Sequence, residues 1–310
     1  MTRNPEAPKR PKPLLAHRRW TPWLFLAPAL AAYALFVVAP VAESFRLSLY
    51  RWPSAFAEPR FVGLGNFARL ARDPVFWSAL WHNALLVGMS LAVQLPLAIL
   101  LAVLLSYPLR GRWLFRTVYF APMVIPTVAI ATLWSYIYLP ERGLLDQLIR
   151  LFDEGFAGEW LSSGQTALLC VFVAICWRHT GFHLVLFMAG IASIPEELYE
   201  AARMDGASEF QAFRHVTLPM LGPTAAVSAT LSVIGSLKYF DLVYMMAEGA
   251  PERAREVLAT YVFRLAFAGG QGRYGYGSAV AVALFAVAFA VSAALMLWRG
   301  RAARSAGEAA

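Results

Sequence analysis

The sequence predicts an all-α polytopic membrane protein with six transmembrane helices and both termini in the cytoplasm (N-in/C-in). Three observations carry that expectation. Apolar residues make up 59% of the 310-residue chain and charged residues only 15%, against about 45–50% and about 25% in a soluble domain. A water-soluble protein of this size cannot hide so much apolar surface. Long stretches carry no formal charge, each ample for the roughly 20 helical residues that cross about 30 Å of hydrocarbon. Basic residues flank the first and last of those stretches. The excess behind a net charge of +8 is therefore assigned to topology, and no nucleic-acid partner is expected.

Residues 1–20 form a basic tail, with Lys9, Arg10, Lys12, Arg18 and Arg19, too rich in proline and polar groups to fold by itself. The first span, residues 21–43, follows from the charge-free run Trp20 to Ala42. That run exceeds the about 7–15 apolar residues of a signal peptide, so it reads as an uncleaved anchor. Residues 44–76 form an external loop, long enough for short surface helices. The core, residues 77–298, holds five further spans: about 77–105, 114–139, 165–194, 220–241 and 275–298. A cytoplasmic loop, 195–219, joins the fourth and fifth, and residues 299–310 form a second cytoplasmic tail. Orientation rests on local charge: Arg18 and Arg19 abut the first span and Arg299 ends the last. The 140–164 loop sets Glu141, Asp146, Asp153, Glu154 and Glu159 against Arg142 and Arg150, which suits the outside. Cys170 and Cys176 match neither a zinc nor a disulfide pattern and read as core or lipid-facing residues.

Residues 194–219, IPEELYEAARMDGASEFQAFRHVTLP, are the most informative segment. Pro195 suits a first helical turn, and Glu196, Glu197 and Glu200 load the early turns with the charge that the macrodipole favours. Gly206 can take the left-handed conformation that ends one helix and redirects the chain. Ser208 followed by Gln211 is a capping-box pattern for a second short helix, whose Phe210, Phe213 and Val216 share a face. Two short helices meeting at a glycine make a rigid knob that a soluble partner can grip. A loop lying on lipid headgroups is the plainer reading, but an anionic leaflet would repel its acidic first helix.

Glu200-Ala201-Ala202, three residues, Gly206, nine residues, then Val216-Thr217-Leu218-Pro219 resembles the EAA loop of ABC importer permeases, with Val in place of the usual Ile. Phe61-Val62-Gly63-Leu64-Gly65-Asn66-Phe67 resembles the F-x-G-L-x-N-F signature of carbohydrate-uptake permeases of the maltose and glycerol-3-phosphate type. Ala121-Pro122 with Pro126, Phe240-Asp241 and Tyr274 to Ala279 fit the same subgroup. The resemblance implies a type I ABC importer permease fold. It makes Glu200, Ala201, Ala202, Asp205, Gly206, Val216, Leu218 and Pro219 the coupling surface for the ATPase. It further implies a second homologous permease subunit, an ATPase dimer on the cytoplasmic side that uses ATP and Mg, and an extracytoplasmic sugar-binding protein. The chain itself is expected to bind no cofactor and no metal.

Within the spans, Arg178 costs roughly 2.5–3.5 kcal/mol at mid-membrane and should face protein or water. His179 is its neighbour and His183 lies one turn on, with no acidic ligand nearby. These three line the translocation path or pack between helices. Lys238 and Asp241, three apart, form a local ion pair or face an aqueous cavity where they meet sugar hydroxyls. Trp134, Tyr136 and Tyr138 read as an interfacial belt. There is no GxxxxGK[ST] phosphate loop, so ATP hydrolysis belongs to a partner. The rival readings are a polytopic enzyme or lipid-handling protein built on Arg178, His179 and His183, and a same-fold permease for amino acids or peptides.

Overall fold

The computed structural model describes residues 21–53, 56–107, 110–164, 166–246, 256–267 and 273–308; the basic tail expected over 1–20 lies outside them. Helix α1 (Pro22–Ser48) leads into a two-stranded antiparallel ribbon, β1 (Tyr50–Arg51) and β2 (Arg60–Phe61), and then the short α2 (Gly65–Leu70). Asp73 caps α3 (Pro74–Ser106) by accepting the Val75 N–H at 2.9 Å. Next come α4 (Arg112–Val124), α5 (Thr127–Ile137), α6 (Leu144–Arg150) and α7 (Ala167–Ala192). The knob is α8 (Glu196–Met204) and α9 (Glu209–Met220). The chain closes with α10 (Gly222–Leu237), α11 (Asp241–Met246), α12 (Leu258–Phe267) and α13 (Tyr274–Glu308).

The fold is helical, as the composition requires. Among the described residues, α1, α3, α7 and α13 are each long and apolar enough to cross a membrane, and counting the bent pairs α4–α5 and α9–α10 as one span each gives six. The span expected to be one helix over 114–139 is instead broken, with α5 turned 100° from α4. Pro126 explains the break, because the residue before a proline is pushed out of the helical region. Ile125 accordingly sits extended, with ψ at 135°.

Three helices widen by one residue just ahead of a proline. The wide turns Ala34–Val38, Ser90–Gln94 and Phe213–Thr217 precede Pro40, Pro96 and Pro219. In each, the residue before the proline donates its N–H five positions back: Ala39 to Ala34, Leu95 to Ser90, Leu218 to Phe213. A proline ring clashes with the carbonyl four residues earlier. The wide turn relieves that clash while keeping backbone groups bonded where lipid offers no alternative.

Three apolar clusters hold the bundle. Leu86, Ile130, Val171, Ile175 and Met246 join α3, α5, α7 and α11. Phe76, Leu258, Tyr261 and Val280 join α3, α12 and α13, and Leu95, Leu184, Phe187 and Leu221 join α3, α7 and the bend between α9 and α10. Two glycines allow close approach between elements: a Cβ on Gly181 would lie 2.0 Å from Tyr119 O of α4, and one on Gly275 would lie 1.9 Å from Tyr50 O of the ribbon. The ribbon therefore seats on the start of α13, while Tyr107, just past the far end of α3, donates to Glu209 at 3.0 Å. Ribbon and knob cap opposite ends of the bundle, and the start of α1 and the finish of α13 point toward the knob end.

Candidate functional site

The knob is built by backbone rules that its sequence obeys closely. Gly206 takes φ +75°. Its N–H donates to Arg203 O at 3.0 Å, and the Ala207 N–H donates to Ala202 O at 2.9 Å. This paired closure is the Schellman arrangement that needs a left-handed residue after the helix. It fixes the spacing from Ala202 to Gly206. The capping box is complete: the Ser208 N–H donates to Gln211 Oε1 at 2.7 Å, and the Gln211 N–H to Ser208 Oγ at 3.4 Å.

Around that hinge the surface is open. Glu200, Ala201, Asp205 and Gly206 are exposed, Ala202 is half-buried, and Met204 is 87% exposed at the apex. Val216 is half-buried, whereas Leu218 and Pro219 are exposed. Thr217, between them, is the buried residue of that run, and Tyr199 Oη lies 2.9 Å from its hydroxyl. This clamp ties α8 to α9, and sequence reasoning did not single out either residue. Phe210 and Phe213 line a groove of about 490 Å³ against Ile99, Leu100 and Leu104 of α3. The knob is thus fastened to α3 and runs, through a 64° bend, into α10.

The polar residues of the spans do not converge. Arg178 is half-buried and donates to Thr127 Oγ1 at 2.6 Å, at the elbow between α4 and α5. His179 donates to Ile175 O at 3.1 Å and sets its ring 5.8 Å from that of Tyr239. His183 is buried, with Nδ1 2.7 Å from Ser228 Oγ of α10. Each takes a different partner, which does not assemble a catalytic constellation. Lys238 and Asp241 are both exposed and no ion pair joins them. The helix ends at Leu237 and restarts at Asp241, so the three-residue spacing never becomes a shared helical face. The aromatic belt is also corrected: Tyr138 is buried and donates to Cys170 O at 3.3 Å, and the Trp134 ring lies tilted 5.4 Å from that of Tyr138 and edge-on 5.9 Å from that of Trp177. Only Tyr136 of the three faces outward, 67% exposed.

A buried polar seam escaped the sequence reading. Asn83 of α3 donates to Ser236 O and Leu237 O at 3.1 and 3.4 Å and accepts the Leu258 N–H at 2.9 Å. Ser90 Oγ lies 3.1 Å from Ser236 Oγ. Ser228, Ser232 and Ser236 recur every four residues on one face of α10, all buried. The one local signal was that serine spacing. The FVGLGNF motif is structural here: Asn66 Nδ2 donates to Ser48 O and Tyr50 O at 2.7 and 2.9 Å, stapling α2 to the end of α1 and to β1.

The family described as "Binding-protein-dependent transport system inner membrane component" matches residues 94–301. The chain is 38% identical to the probable ABC transporter permease protein YurN of Bacillus subtilis (strain 168), over 87% of this chain and 93% of that one. It is 34% identical to the lactose transport system permease protein LacF of Rhizobium radiobacter, over 79% and 83% respectively. Among solved structures, a chain of a bacterial ABC transporter involved in the import of the acidic polysaccharide alginate superposes with a TM-score of 0.80 at 24% identity. That match covers 91% of this chain and 96% of the other.

Proposed function

The chain belongs to the family of binding-protein-dependent transport system inner-membrane components, and from that premise we propose that it is the permease subunit of an ATP-driven importer whose cargo is a carbohydrate. Similar chains are named for lactose, trehalose/maltose, arabinooligosaccharides and diacetylchitobiose, which supports the cargo class. The observation that carries the mechanism is the glycine-hinged knob, rigid inside and exposed on its outer face. In this reading the knob faces the cytoplasm, as do both termini. It docks on an ATPase dimer that supplies ATP and Mg chemistry, beside a second permease and below an extracytoplasmic sugar-binding protein.

Closure of the ATPases would draw the two knobs of the complex together. The Tyr199–Thr217 clamp and the Tyr107–Glu209 contact would pass that displacement to α10 and α3, rocking the bundle between inward and outward access. Arg178 and His179, half-buried, and Lys238 and Asp241, exposed at the break after α10, are the candidates for the path. His183, satisfied by Ser228, serves packing. The test is a reconstituted complex carrying Glu200→Lys or Gly206→Pro: membrane insertion stays intact while transport and sugar-stimulated ATPase activity are lost. Normal stimulation in both variants removes the docking role.

A further inference from the structure

Two adjoining clefts lie on the ribbon end of the bundle, outside everything assigned above. The first, about 510 Å³, is lined by Arg51, Trp52, Asn66, Arg69 and Arg273. The second, about 710 Å³, shares Arg69 and Arg273 and adds Arg72, Asp73 and Arg264. Arg51, Arg69, Arg72 and Arg273 are exposed, and among the described residues no carboxylate pairs with them. The nearby acids are already engaged. Asp73 receives the hydroxyls of Tyr261 and Tyr276 and the Val75 N–H, and Glu256 holds Arg264 in a two-bond pair at 2.7 and 2.8 Å. Arg69 is preset by stacking 4.4 Å over the Tyr276 ring. The result is a concave, strongly positive surface whose guanidinium forks match carboxylates.

We infer that this arginine cleft is the docking site for an acidic surface segment of the extracytoplasmic binding protein, an inference that rests on the importer reading. Two features favour that partner. The cleft shares no lining residue with the path candidates Arg178, His179, Lys238 and Asp241, which separates it from cargo in transit. Trp77 and Trp81, 53% and 62% exposed at the start of α3, fit the interfacial position that tryptophans favour, and Arg51, Arg69 and Arg72 lie before that helix begins. A positive concavity there steers an acidic protein face into register and raises its on-rate.

The experiment uses the whole importer in phosphatidylcholine nanodiscs, with ATPase stimulation followed against the concentration of the purified, sugar-loaded cognate binding protein. Arg72→Glu and Arg273→Glu should each raise the half-saturating concentration by about tenfold or more, leave basal ATPase activity unchanged, and flatten its dependence on salt. Arg72→Lys and Arg273→Lys, which keep the charge and lose the fork, should recover only part of the loss. An unaltered half-saturation in the glutamate variants overturns the inference while the importer reading stands. So does an effect that emerges only when phosphatidylglycerol is added, which would make the cleft a lipid-headgroup site. A wild-type complex that no concentration of binding protein stimulates overturns both.

Discussion

Asp146 is buried, yet both of its oxygens are occupied. Oδ2 accepts the Glu141 and Gly158 N–H groups at 2.8 and 3.0 Å, and Oδ1 accepts from Trp160 Nε1. Burial pushes its pKa up, but these hydrogen bonds prevail and hold it below the ordinary carboxylate value. A depressed carboxyl stabilises the fold fully above its unfolded pKa, about 3.9, and that contribution is lost as pH falls through the lower folded value. Acidification below about pH 4 should therefore open the 140–164 loop, read as faster amide exchange at Glu141 and Gly158. Asp146→Ala leaves those donors unpaired and should cost about 1–3 kcal/mol at neutral pH, with the same amides exchanging fast at every pH. Asp73 repeats the design at the foot of α3, where burial is again outweighed, here by Tyr261, Tyr276 and backbone donors. The sequence showed Asp146 only as a loop charge, although its partners lie 5 to 14 residues away; the tyrosines that hold Asp73 lie 188 and 203 residues on, beyond any local pattern.

At the scale of elements, the knob was readable because its determinants are local. A glycine, a capping serine and their spacing fix the two short helices with backbone bonds only. Nothing lies within 4 Å of where a Cβ on Gly206 would sit, so substitution there meets conformational strain and no clash. Gly206→Ala should cost about 1–2 kcal/mol of left-handed strain, and Gly206→Asn less; thermal denaturation of the purified complex should rank them wild type, Asn, Ala. The elbow at Pro126 was not readable, because a proline inside an apolar run fits a gentle kink as well as a 100° turn. Packing against α7, permitted by Gly181, decides between them. The seam centred on Asn83 was equally silent, since its bonds run to residues 153–175 positions away. Asn83→Ala unties α3 from α10 and α12 at once. It should lower stability by about 2 kcal/mol or more, measured as a shift in thermal midpoint with helix content unchanged.

For the molecule as a whole, charge-free lengths and flanking arginines predicted a multi-pass helical chain, and the family match carries that to an inner-membrane component. Sidedness is open to a direct measurement. The native Cys170 and Cys176 are buried, so an added cysteine reports against a low background. Glu197→Cys in the knob should resist a membrane-impermeant maleimide in intact cells and react after lysis, while Arg60→Cys in the ribbon should react in both. The reverse pattern removes the ATPase-docking role of residues 196–216. One further consequence follows from α1. Its apolar window has no buried residue, and none of residues 21–48 enters the three clusters that hold the bundle. Its C-terminal turns pack on α13, where Phe45 meets the Phe285 ring edge-on at 5.8 Å, but the apolar stretch before them presents its surface to lipid or to a neighbouring subunit. The far end of that helix ties into this chain's own fold, and its leading turns are left to serve whatever surrounds it.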